Sequence, residues 1–319
     1  MIHSVFKKTK LDEVFYNEFL KDRLPKKIID CHAHLASPES TKNIPRETIE
    51  ADWALQCGTY MTVEQADFYY KECFPEKEIE FMALPFFCIG VDLKANNEYL
   101  SSKVDRALMS VHPSWDTEYC EKILTENNFA GFKPYPALVT NEKGAEISIF
   151  DFITHEQLSV LNRHKKILTL HLPRKQRFHA DENIYELKQM RDKYPDIKII
   201  IAHFGRSFCK STLLKGFKKL GSDINSFYYD TTAVINPEVY KEAFNTIDHD
   251  KIVYGTDFPL LLWHGKRIWI EEEEKYINLC REDFPWNKHI EGEAEEEKYT
   301  LFVYEQLRSI LDAASNDRQ

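Results

Sequence analysis

The sequence predicts an α/β chain folded as a (β/α)8 barrel, and three observations carry that prediction. Eight apolar runs recur along 319 residues. Helix-compatible stretches separate most of them, and several runs end in a histidine or an aspartate. Strands alternating with helices pair in parallel. Eight such units close into a ring whose strand C-termini open on one face.

Residues 10–23 place Leu11, Val14, Phe15, Phe19 and Leu20 on one stripe, the spacing of an amphipathic helix. The first strand follows at about 28–34. Residues 36–78 are polar and aromatic, helical at 62–72 and broken at Pro38, Pro45 and Pro75; they read as an insertion over the barrel mouth. The other strands are expected at Ile79–Ile89, Ala107–Val111, Phe129–Lys133, Ile167–His171, Ile197–His203, Phe227–Thr231 and Ile252–Asp257. Helices are expected between them at 116–126, 155–164, 181–193 and 236–246, with closing helices at 271–282 and 291–314. The acidic clusters Glu271–Glu274 and Glu291–Glu297 read as solvated faces. One elaborated domain over 1–319 is the simplest organisation.

Composition excludes several function classes. At 43% hydrophobic residues the chain can bury a large core. A formal charge of −10 argues against a nucleic-acid or anionic-membrane binder, both of which need basic surface. Seven scattered cysteines without CxxC pairing read as reduced thiols, which points to the cytoplasm. The N-terminal lysines and acids, with no long apolar run, give no expectation of a signal peptide. No stretch reaches the roughly 20 apolar residues of a membrane span.

The chemistry sits at the strand ends. His32 and His34 are two residues apart on one strand, so they share a face and can take a divalent cation as a pair; Cys31 points the other way, toward packing. His171, His203 and Asp257 each end a later apolar run. On a barrel, His32, His34, His171 and Asp257 would converge as metal ligands. Three nitrogens and a carboxylate suit zinc and would also hold manganese or iron. Such an ion lowers the pKa of its water from about 16 toward 7. Asp257 could take the proton of the attacking water, and His203 could polarise a carbonyl or carry a proton. Asp30 lies one layer deeper and is expected to orient rather than ligate. His112 ends the third strand and is a candidate substrate-binding residue of the pocket wall, with His264 a weaker one. The insertion aromatics Trp53, Tyr60, Phe68, Tyr69 and Tyr70 form a local core or a lid, and exposed ones permit a homo-oligomer.

These pieces together resemble the amidohydrolase superfamily, and within it the amidohydrolase-2 branch. The likeness is carried by Ile28-Ile29-Asp30-Cys31-His32-Ala33-His34, by Gly131-Phe132-Lys133-Pro134, by His171, by Ala202-His203-Phe204-Gly205 and by Gly255-Thr256-Asp257-Phe258-Pro259. It implies a metal-bearing barrel with ligand roles for His32, His34, His171 and Asp257, and a catalytic or second-metal role for His203. In dinuclear relatives a lysine at the position of Lys133 is carbamylated and bridges two metals with the other extra ligand, here His203; in mononuclear relatives it does not bridge. One ion is the expectation here. Arg206 departs from the small residue expected after Gly205; it could clamp a substrate carboxylate bidentately or be a surface arginine. The branch holds hydrolases of amide, ester and lactone bonds and also non-oxidative decarboxylases. The reading taken is a metal-dependent hydrolase of a small molecule, with a decarboxylase as the alternative and a non-catalytic ligand-binding barrel as the third.

Overall fold

A computed structural model describes residues 6–139, 143–282, 284–286 and 299–316. The expected strands are present: β1 Lys27–His34, β2 Glu78–Leu84, β3 Leu108–Met109, β4 Gly131–Phe132, β5 Ile167–Leu170, β6 Lys198–Ile201, β7 Tyr228–Asp230 and β8 Ile252–Val253. β1 pairs in parallel with β2, and β3 to β8 form a parallel sheet in sequential order. Backbone bonds join the two groups on both sides. Ala83 N donates to Arg106 O at 2.9 Å, and Cys31 N donates to Tyr254 O at 2.8 Å. Asp257 N donates to His32 O at 2.9 Å, and His34 N to Phe258 O at 2.7 Å. The ring is therefore a (β/α)8 barrel, and its closing seam runs between the two strand ends that carry His32, His34 and Asp257.

Central strands such as Ile199-Ile200-Ile201 are buried on both faces, because helices cover the outside and side chains fill the inside. Helices at Thr117–Glu126, His155–Arg163, Asp181–Lys193 and Pro237–Thr246 lie where the pattern predicts them. Thr154 starts one of them with a reciprocal capping box to Gln157, a device that contributes about 1 kcal/mol. The strands are shorter than the apolar runs. Pro85 follows β2 and has no N–H for a continuing ladder.

The insertion is more helical than expected, with short helices at Pro38–Thr41, Arg46–Ala51 and Trp53–Cys57 before Val63–Cys73. Helices at Leu93–Lys103 and Lys210–Leu220 also form. Pro38 and Pro45 do not break structure; they sit at helix starts, where a missing N–H costs nothing.

The expected helix at 271–282 is instead half of a hairpin. β9, Gly265–Ile270, pairs antiparallel with β10, Lys275–Cys280, through Glu274 at φ 53°. Cross-strand packing decides it: Trp269 faces Tyr276, and Ile268 faces Ile277. Nor is the Glu271–Glu274 cluster merely solvated. Glu271 accepts from the backbone N–H groups of Lys210 and Ser211 at 3.1 Å each, capping the next-door helix. The closing helix runs Phe302–Asn316; the Glu291–Glu297 cluster lies outside the described residues. Among the described residues no helix is long and apolar enough to cross a membrane.

Candidate metal centre and substrate pocket

β1 carries a bulge. Asp30 pairs with Phe81 but Ala33 with Ala83, so one extra residue sits on β1. Both flanking histidines end up buried and facing inward. His32 Nδ1 donates to Asp230 Oδ2 at 2.9 Å, which leaves Nε2 free and 3.5 Å from Asp257 Oδ1. His34 repeats the arrangement: Nδ1 donates to the carbonyl of Pro85 at 3.1 Å, and Nε2 lies 3.1 Å from the same Asp257 oxygen. Ligands of one ion at bond lengths near 2.1 Å stand about 3.0–3.4 Å apart. The two distances to Asp257 are close to this spacing, all three atoms lie within 4.8 Å of one another, and the three residues form a group able to hold a metal ion. The carboxylate and carbonyl behind each imidazole are the partners that fix a ligating tautomer.

The other histidines continue this cluster. His32 and His203 have ring centroids 5.2 Å apart, and His203 and His171 are again 5.2 Å apart. His171 stands beside the three-residue group rather than in it, reached through His203. Its ring makes no hydrogen bond among the described residues. Burial, followed by the fields of Arg206 and His203, pushes its pKa well below the ordinary value, so the ring is neutral. His203 Nδ1 donates to Thr232 O at 3.0 Å, and burial brings its pKa down to about 4. A neutral ring bonded this way offers a lone pair at Nε2. It is therefore an acceptor there, which suits the proton-carrying option the sequence offered for His203 more than polarisation of a carbonyl.

Backbone strain accompanies these positions. His203, Phe204, Gly205 and Arg206 all have left-handed φ, from 47° to 69°, and Asp257 has φ 64°. Each non-glycine case costs about 1–3 kcal/mol and persists only where its surroundings hold it. Here Asp230 Oδ1 grips the N–H of His203 at 2.7 Å. Gly205 is required twice, by its φ and by the Phe178 ring 2.7 Å from where a Cβ would stand.

The carboxylates divide by environment. Burial pushes the Asp257 carboxyl up, but the hydrogen bond from His34 and the fields of His32 and His203 outweigh it and hold the pKa at about 2. Asp230 is held lower still, burial again opposed by the charge and hydrogen bond of His32. Asp30 is raised by burial; it accepts from Tyr70 Oη at 2.6 Å, His32 N at 2.9 Å and Thr256 N at 3.1 Å. It ties the insertion to β1 and β8, the orienting role expected of it.

A cavity of about 480 Å³ opens over this cluster, and His32, His34, Lys133, His171, His203, Arg206 and Asp257 all line it. Lys133 is fully buried, its Nζ has no hydrogen-bond partner among the described residues, and burial lowers its pKa to about 8. Trp53 of the insertion and Tyr276 of the hairpin complete the wall. His112 does not line the cavity: its Nδ1 is taken by Ser114, Oγ at 2.7 Å and N at 3.2 Å, closing its own turn. His264 is also elsewhere, buried between Asp12 and Glu282. The sequence reading missed Asp230. Its signal was there, since the run Phe227-Tyr228-Tyr229-Asp230 ends in a carboxylate as the others end in histidine or aspartate. Tyr135, Pro85 and Tyr276 carried no such signal.

An amidohydrolase family model matches residues 124–276. By sequence, no curated protein matches the chain. Among solved structures, 5-carboxyvanillate decarboxylase from Sphingomonas paucimobilis superposes with TM-score 0.50 at 11% identity, over 74% of this chain and 89% of that one. Amidohydrolase 2 from Bifidobacterium longum subsp. infantis gives 0.49 at 15% identity, over 74% and 86%. The barrel and its strand-end cluster define a parallel α/β barrel with a candidate metal site. Over residues 124–276 the chain is similar to the amidohydrolase family, as its motifs indicated, and it is an enzyme of that type.

Proposed function

We propose that this enzyme hydrolyses a carbonyl bond of a small molecule at the centre built from His32, His34 and Asp257, with His171 and His203 as the neighbouring nitrogens. The supporting observation is the Asp257 carboxylate, ionised and directed at the free Nε2 atoms of His32 and His34. A divalent ion held there, zinc by preference with manganese or iron as alternatives, supplies Lewis acidity and activates water at neutral pH. Asp257 accepts the proton of the attacking water and returns it to the leaving group. His203, with Nδ1 fixed on Thr232 and its ring 5.2 Å from that of His32, is a second base or ligand. Lys133 Nζ, without a hydrogen-bond partner among the described residues, can donate to the developing oxyanion. In its carbamylated form it would instead be a ligand.

A decarboxylase is the second reading, and Arg206 favours it. The guanidinium on the cavity wall faces no carboxylate among the described residues, which suits an acidic substrate. The test is one experiment on metal-replete protein: turnover of an amide, ester and lactone library against carbon dioxide release from aromatic acids. Release of carbon dioxide with no hydrolysis of any library member rejects hydrolysis.

A further inference from the structure

We infer that Gln306, on the closing helix Phe302–Asn316, is a positioning residue of the candidate metal centre: its side-chain amide bridges the ends of β7 and β8 where their ladder stops, and so sets where Asp257 stands relative to His32 and Asp230. This rests on the reading of His32, His34 and Asp257 as metal ligands and adds to it a residue of a distant part of the chain.

The ladder between β7 and β8 is short. Tyr229 pairs with Ile252 and Asp230 with Val253, and its last backbone bond runs from Thr231 N to Val253 O at 3.0 Å. Past that point the strands part. The N–H of Gly255 goes to the hydroxyl of Thr231 at 3.3 Å instead of to a carbonyl. Parting leaves the carbonyls of Thr231 and Gly255 without ladder partners, and a buried carbonyl left unpaired is costly. Gln306 is fully buried, and its Nε2 donates to both carbonyls at 2.9 Å each. An amide nitrogen carries two N–H donors, so one side chain serves both at once. Tyr240 Oη also lies 3.1 Å from Thr231 O, but its shorter bond, 2.6 Å, goes to Val234 O. Gly255 O has no other donor among the described residues.

The bridge lies among the residues of the site. Asp230 and Thr232 flank Thr231, and they accept from His32 Nδ1 at 2.9 Å and from His203 Nδ1 at 3.0 Å. Two residues beyond Gly255, Asp257 N donates to His32 O at 2.9 Å. Gly255 is itself pressed against the cluster. A Cβ added to it would stand 2.7 Å from that of His32 and 2.3 Å from Thr232 Oγ1. A change in the spacing of Thr231 and Gly255 is therefore carried to His32, His203 and Asp257, in a kind of site whose groups need holding within about 0.5 Å.

Gln306→Met keeps the length of the side chain and removes both donors. Two measurements read it: hydrogen–deuterium exchange of the metal-free protein, followed on peptides covering residues 252–258 and 167–171, and zinc affinity by competition with a chelator. The variant is expected to speed exchange over 252–258 about 10-fold while 167–171 keeps its wild-type rate, and to weaken zinc about 10-fold. Ser309→Ala is the control. Its hydroxyl donates from the same helix to Ile235 O at 2.9 Å, so its loss loosens the helix without touching either bridged carbonyl, and zinc affinity is expected to stay at the wild-type value. Unchanged exchange over 252–258 in Gln306→Met overturns the inference, and so does an equal loss of zinc affinity in Gln306→Met and Ser309→Ala. Should Gln306→Met not fold, Thr231→Val takes its place, because it removes the acceptor of the Gly255 N–H at the same parting of the strands; wild-type exchange and zinc affinity in that variant overturn the inference equally. A wild type that takes up no zinc rejects the metal reading, and the exchange comparison then decides by itself whether Gln306 places Asp257.

Discussion

His32 and Asp230, 198 positions apart, meet through a 2.9 Å hydrogen bond from imidazole Nδ1 to carboxylate Oδ2. That bond decides which nitrogen of His32 faces Asp257. The same aspartate holds the N–H of His203 through its other oxygen, so one buried side chain sets two members of the cluster.

Asp230→Asn is therefore expected to weaken metal binding about 10- to 100-fold, the usual effect of removing such a partner, with the barrel intact. Metal titration into chelator-treated protein, with circular dichroism as the fold control, measures it. Unaltered affinity would mean that the His32 tautomer is set by something else.

His34→Ala and Asp257→Asn each remove a proposed ligand without opening the barrel core, because strand-end groups serve the site more than packing. Both variants are expected to lose activity about 100-fold or more while unfolding near the wild-type denaturant midpoint. Chelation of the wild type should give the same loss, reversed by added metal. Collapse of the fold in both variants would identify a structural ion instead.

His264 links three separate pieces of chain. Its Nε2 faces Asp12 at 2.9 Å and its Nδ1 faces Glu282 at 2.5 Å. Burial disfavours the charged ring, but the bonds and charges of the two acids prevail and raise its pKa to about 9. A pKa raised on folding adds stability that is complete below the unfolded value of about 6.5. That stability is lost as pH rises through about 9. His264→Ala is expected to cost about 3 kcal/mol at pH 7, with the difference from wild type shrinking above pH 9. Urea denaturation at pH 7 and pH 10 tests the trend; a difference that grew with pH would contradict it.

Gly131 allows β4 and β5 to approach closely. An added Cβ would sit 1.8 Å from the carbonyl oxygen of Ile167, and backbone cannot yield as a side chain would. Gly131→Ala should cost about 3 kcal/mol or more and displace Lys133, two residues on. Thermal unfolding checks the first effect. A variant as stable as wild type would show that the strands can part.

Most of the barrel was legible because its signal is local. Apolar runs such as Ile167–Leu170 and Lys198–Ile201 are short, repeated and separated by helical periodicity, and each needs only its own residues to be recognised. The hairpin Gly265–Cys280 was not legible. Its glutamate run suits a helix, and only the cross-strand packing of Trp269 on Tyr276 selects a strand.

The same division runs through the site. The order of His32, His34, His171, His203 and Asp257 at the ends of apolar runs is a property of the chain itself, since a strand's period of two and a barrel's common open face bring such residues together. Distances and protonation are not properties of the chain. Tertiary packing alone brought Asp230 under His32, turned His203 into an acceptor through Thr232, closed His112 on its own turn, and left Arg206 without a carboxylate. These outcomes depend on hydrogen bonds between residues far apart in sequence and on burial, which no run of neighbouring residues encodes.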